Sequence, residues 1–186
     1  MINKEKNIKF VRNLTWTEVF EFWQKNESTN PDWINLAKEK GYNSWEEWRI
    51  ESLAKPLKLQ NTKWSLYEIS NPTETILNFY GGLFSNWIKK HYDGEKTKTF
   101  RELSNRSDVI EKPYIQKLVK NYPANTKIIC LKINDKIFII EGMHRACALA
   151  IMNKKDKLDK KLYFAIGESL FTEKDFNEYY ENLKSI

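Results

Sequence analysis

Ile137-Phe-Ile-Ile-Glu-Gly-Met-His-Arg-Ala-Cys-Ala-Leu-Ala150 is the stretch that decides how this chain is read. Its first half is a run of β-forming residues, its second half an Ala-rich run of helix formers, and one glycine stands between them. A strand that passes into a helix through a single glycine aims the unpaired N–H groups of the first helical turn, and the positive end of the dipole, at one spot. His144 and Arg145 fall in that turn, where a cation opposes the dipole unless an anion joins it. Two readings are open. In one, the turn holds an anion and Gly142 leaves room for it to approach. In the other, Arg145 pairs with Glu141 and His144 lies on the surface.

Outward from this stretch, Ile128 to Ile133 is a second β-rich run. Asn134-Asp135 joins it to Lys136–Ile140, and both linker residues tolerate the left-handed backbone of a tight hairpin. Pro113 to Lys120 reads as a helix with Ile115, Leu118 and Val119 inward. Leu162 to Ile166 reads as a strand, and Thr172 as the cap of a last helix through Phe176, Tyr179, Tyr180 and Leu183. The first half reads as helical and Trp-rich. Thr15 with Glu18 forms a capping box, Asn30-Pro31 and Ser44 with Glu47 open two more helices, and Asn71-Pro72 opens another that breaks at Gly81-Gly82. The pattern therefore predicts an α/β (α+β) chain with a small mixed sheet and a β-hairpin, residues 1–97 forming a helical N-terminal region and 98–186 a second domain.

The chain has 186 residues, of which 41% are hydrophobic and 14% aromatic, so it carries enough apolar surface for a folded core. A mean hydropathy of −0.67 and the lack of a long uncharged apolar run argue against a membrane span. The opening residues MINKEKNIKF have no apolar core of a secretory signal, and two Cys with two His are too few for a zinc scaffold or disulfide framework. A reducing, cytoplasmic setting is the expectation. The net charge of +6 comes mostly from Lys, with Arg at five positions only, which suits a solvated surface better than base recognition. Nucleic acid is therefore permitted as a partner but little supported. His91, in Lys89-Lys90-His91-Tyr92, reads as a helix C-terminal cation, and Trp16, Phe20, Trp23, Trp33 and Trp48 read as core. The basic stretch from Lys154 to Lys161 reads as a solvated loop able to steer a polyanion.

Gly142, His144, Arg145 and Ala148, following a strand and opening a helix, resemble the signature of the ParB/sulfiredoxin superfamily, and the resemblance runs from about Phe100 to Leu170. It implies a ParB/sulfiredoxin-like domain behind the helical extension, with nucleotide phosphates bound at the Glu141–Arg145 turn. Sulfiredoxins need a Cys before the motif His, where this chain has Met143. Partition proteins add a helix-turn-helix after the motif, whereas the 36 residues after Ala150 hold a strand and a helix. The free serine kinase branch, with Asp-Gly-His-His-Arg, is the most similar. It implies a nucleotide-dependent phosphotransferase or hydrolase acting on a small hydroxyl-bearing substrate, with ATP or ADP (CTP in the partition branch) and Mg²⁺. By that resemblance Asp108, or else Glu111, is the base on the hydroxyl, and His144 stabilises the transferring group. Glu141 holds Mg²⁺ or orients His144, while Gly142, Met143, His144, Arg145 and Arg106 bind the nucleotide. The alternative is a non-enzymatic module in which the same turn binds a regulatory nucleotide or DNA phosphate.

Overall fold

A computed structural model describes residues 7–123, 125–153 and 161–184, and the basic stretch 154–160 lies outside them. Five strands, β1 (Ile8–Leu14), β2 (Lys63–Ile69), β3 (Lys127–Ile133), β4 (Lys136–Glu141) and β5 (Leu162–Glu168), form one sheet in the order β1-β2-β5-β3-β4. Only β3 and β5 run parallel; the other neighbours are antiparallel. The predicted hairpin is present, and Asn134 supplies its left-handed residue at φ 52°. Among the described residues there are ten α-helices. Before the hairpin run α1 (Trp16–Glu27), α2 (Pro31–Glu39), α3 (Trp45–Arg49), α4 (Pro72–Thr75), α5 (Ser85–His91), α6 (Phe100–Leu103), α7 (Ser107–Ile110) and α8 (Pro113–Lys120). After it come α9 (Met143–Met152) and α10 (Glu173–Lys184). The fold is mixed α/β.

The expected helical region 1–97 holds two of the strands, so a boundary at 97/98 cuts through the sheet. The cause lies in β2, which has a core on both sides. Trp64 and Leu66 face one apolar layer while Tyr67 and Ile69 face the other, and this hides the half-polar alternation by which a strand is usually recognised. One sheet face, with Ile129, Leu131, Phe138, Ile140 and Ala165, packs against α1 to α3 and buries Trp23, Trp45 and Trp48. Of the aromatics expected there, Trp23 and Trp48 are buried, while Trp16, Phe20 and Trp33 pack partly buried at its margin. The opposite face, with Ile128, Cys130, Ile139, Phe164 and Ile166, packs against the layer from α4 to α9.

Helix α9 lies in the middle of that second layer. His144 is the single residue of Met143–Met152 that keeps partial exposure. Helix α8 runs against it, with Pro113 at its start and Ile115 and Leu118 buried. A bulge between Ile129 and Cys130 lets β4 fit Ile140 as an extra residue just before Glu141. The chain beyond the sheet edge then passes close by. Tyr80 N–H donates to Ile137 O at 2.8 Å, and Gly82 N–H meets the Met143 sulfur at 3.2 Å. A Cβ on Gly82 would stand 2.2 Å from the backbone oxygen of Ile139, so only glycine allows this approach.

Candidate functional site

The turn itself forms as the sequence predicts. Gly142 caps α9 in a left-handed conformation at φ 99°, and no side chain caps the helix. The space beside it is differently used from the anion-binding expectation. A Cβ on Gly142 would lie 3.1 Å from Nη2 of Arg145 and 3.3 Å from Ile128. The glycine thus makes room for the protein's own guanidinium. Arg145 folds back onto Glu141, donating from Nη2 to both carboxylate oxygens at 2.5 Å, and from Nη1 to Lys127 O at 3.1 Å. Asn26, from the end of α1, adds Nδ2 bonds to Glu141 Oε2 at 3.0 Å and to Lys127 O at 3.3 Å.

Both members of this pair are buried. Burial pushes the Glu141 carboxyl up while Arg145 pulls it back, and the Arg145 guanidinium stays charged, held by Glu141 against its own burial. The next residue of α1, Glu27, accepts from Arg49 Nε and Nη2 at 2.8 and 2.6 Å and from the Trp45 indole at 3.3 Å. A partly buried arginine–glutamate pair therefore stands beside the buried one where α1 meets the sheet. Glu141 is not placed to hold Mg²⁺ or to orient His144, because its oxygens are taken by Arg145 and Asn26. Arg145 likewise points into the protein and away from any ligand on the open side of the turn. Met143 is buried, its sulfur against Gly82.

A second cluster gathers around His144. Its ring lies between Trp87, at 5.6 Å between centroids, and Tyr114, edge-on at 5.3 Å. Burial, with the positive Lys112 and the ring of His91 nearby, brings its pKa down to about 4, so His144 is neutral at physiological pH. His91 was expected on a polar helix end, but it is 5% exposed and closes a chain of polar contacts. Its Nδ1 lies 2.8 Å from Asp108 Oδ2, and its Nε2 lies 2.7 Å from Lys112 Nζ. A carboxylate accepts and an ammonium donates, so the partners fix the tautomer: Nδ1 carries the hydrogen and Nε2 the lone pair. Burial lowers the His91 pKa, consistent with a neutral ring.

Asp108 accepts from Arg106 Nε at 3.0 Å and Nη2 at 3.1 Å, while Arg106 Nη1 reaches Asp93. These bonds from Arg106, with the one from His91, hold the Asp108 pKa at about 2. Such a carboxylate is a weak base, and its two oxygens are occupied. The expected role of Asp108 as acceptor of a hydroxyl proton does not match this geometry; it orients His91 instead. Arg106, bracketed by two carboxylates, is engaged structurally. Glu111 is exposed and caps α7. Lys112 differs from both arginines. It lies 4.6 Å above the Trp87 ring, and among the described residues no carboxylate stands within ion-pair distance of it.

The structure thus brings Asp108, Arg106 and His144 into one neighbourhood and adds His91, Lys112, Trp87 and Tyr114. It assigns Glu141, Gly142 and Arg145 to a separate buried knot. Lys112 gave a sequence signal only in its place one residue before Pro113, and His91 none beyond its rarity. Cys147, one turn along α9, is fully buried, and its thiol is pushed far up by that burial, so it is a packing residue. Among the described residues no three His, Cys, Asp or Glu cluster as a metal site, and no helix is long and apolar enough to cross a membrane. No family model, curated protein or solved structure matches the chain.

Proposed function

We propose that this chain binds a nucleotide and transfers or hydrolyses its terminal phosphoryl group, a small hydroxyl-bearing molecule being the acceptor. One observation carries the reading. Both histidines of the chain, and a lysine with no carboxylate within ion-pair distance among the described residues, gather beside the first turn of the ten-residue helix α9, whose positive end favours anions. Lys112 supplies the positive charge for the phosphates. His144, neutral and partly exposed, is the proton acceptor available beside them. The Tyr114 ring, 59% exposed at the rim, offers a face on which a base can stack. The residues present do not fit a protein-held Mg²⁺ at Glu141, so no step is assigned to one.

Calorimetric titration with ADP and ATP, with and without Mg²⁺, tests binding on the native chain and on Lys112→Met. The substitution should weaken binding by about tenfold or more, the worth of one charge-assisted contact, while circular dichroism shows the fold retained. Incubation with ATP and a panel of hydroxy amino acids then tests transfer. Absence of nucleotide heat on the native protein, or equal affinity in Lys112→Met, overturns the reading. Binding without product or hydrolysis would move the chain to the non-catalytic, nucleotide-gated class.

A further inference from the structure

We propose that Asp108, His91 and Lys112 form a proton relay that presents Lys112 as a nucleophilic amine, a covalent site for small aldehydes and 2-oxo acids. The three groups stand in line, at 2.8 Å from carboxylate to imidazole and 2.7 Å from imidazole to amine. His91 is oriented with its lone pair on Lys112, and Asp108 is placed to stabilise the imidazolium that forms when the proton crosses. Among the described residues no carboxylate is in contact with the lysine, which removes the commonest reason for an ammonium to stay charged; the Trp87 ring under it favours the cation and acts the other way. The groups that face Lys112 are His91 and Lys90 of α5, Asp108 of α7, and His144 and Cys147 of α9; burial, with the positive Lys90, lowers its pKa against the pull of Cys147 and Asp108. A positive helix end and a cationic neighbourhood favour a carbonyl compound that carries an anionic group.

The step balances as follows. The Lys112 ammonium passes one proton to His91 Nε2, and the amine nitrogen bonds to the carbonyl carbon as the C=O π pair moves to oxygen. His91 returns its proton to that oxygen. A second N–H proton leaves with it as water, giving a protonated imine. One ammonium and one carbonyl become one iminium and one water, and no oxidant or reductant is consumed.

The inference stands apart from the nucleotide reading, and one experiment separates them. The native chain is treated with limiting glyoxylate and cyanoborohydride at pH 7, and the lysines are followed by peptide mass spectrometry. An unperturbed lysine, with pKa near 10.4, is neutral in only about one molecule in 2,500 at this pH. Lys112, the cap residue before α8, is less exposed than Lys117 and Lys120 of that helix, so accessibility alone would make it slower. The expected result is labelling of Lys112 at least tenfold faster than either. In His91→Gln the Lys112 rate should fall about fivefold or more and its pH midpoint rise, with Lys117 unchanged. Lys112 labelled no faster than Lys117 and Lys120 overturns the inference, as does a His91→Gln variant with the native rate and pH profile. Added ADP should protect Lys112 if the nucleotide reading holds; fast labelling without protection retains the reactive lysine and removes the nucleotide.

Discussion

Replacing Arg145 by Met removes the Nη2 bonds to both Glu141 oxygens and the Nη1 bond to Lys127 O, and leaves Glu141 buried with the single amide of Asn26. Breaking a buried ion pair from one side costs about 3–5 kcal/mol, because the surviving charge has lost its compensation. For a chain of this size each kcal/mol is worth about 2–4 °C, so the melting temperature should fall by roughly 6–20 °C. Differential scanning calorimetry and urea melts with an unchanged m-value measure this. The pH dependence gives the sign. Without its counter-charge, Glu141 in the folded variant has a raised pKa, so the folded state holds the proton more tightly than the unfolded chain. Stability is then greatest below about 4.5, the ordinary Glu value, and is lost as pH rises through the raised folded value. The single variant should therefore lose less stability at pH 5 than at pH 7.5. Glu141→Leu combined with Arg145→Met should regain most of the loss, since an apolar pair needs no compensation. A single variant that melts within about 1 kcal/mol of the native chain, at both pH values, would refute the buried-pair account and return Arg145 to the open side of the turn.

Further outcomes follow from the same geometry. In NMR titrations His144 should stay neutral down to about pH 4 and His91 should titrate below 6.5, with the Nδ1–H form of His91 visible in its ¹⁵N shifts. Because the unfolded chain takes up that proton first, the contribution of His144 is present above pH 6.5 and is lost as pH falls towards 4, by at most about 3 kcal/mol, read as a lower urea midpoint at pH 5 than at pH 7. Gly82→Ala drives a Cβ into the Ile139 carbonyl and should cost about 3 kcal/mol or more; an unaltered melt would mean that the 79–84 segment does not lie as described. Neither Cys130 nor Cys147 should react with a disulfide reagent in the native state, and both should do so in urea.

Local signals carried the hairpin at Asn134-Asp135, the bounds of α8, the capping box at Thr15 and the strand-to-helix turn at Gly142, and the structure has each of them. What escaped was non-local. Strand β1 is exposed along most of its length and owes its place to pairing with β2, so its own residues show no alternation. At the turn, the sequence permitted Arg145 either an anion or Glu141. The choice is made by Asn26, 115 residues before Glu141, which completes the buried knot. His91 reads as a helix-end cation until α7 and α8 bring Asp108 and Lys112 to its two nitrogens.

Asn26 and Glu27 tie the last turn of α1 to buried Glu141 and buried Arg49, and β2 separates β1 from β5 within the sheet. A fragment beginning near residue 98 would thus shed β2 from beside β5, strip the tryptophan layer from its sheet face and leave Glu141 without the Asn26 amide. Such a piece should aggregate on expression. The half that carries the Gly142 turn is not a detachable cartridge: Trp87 and His91, which complete the cluster around His144, lie on α5 outside it.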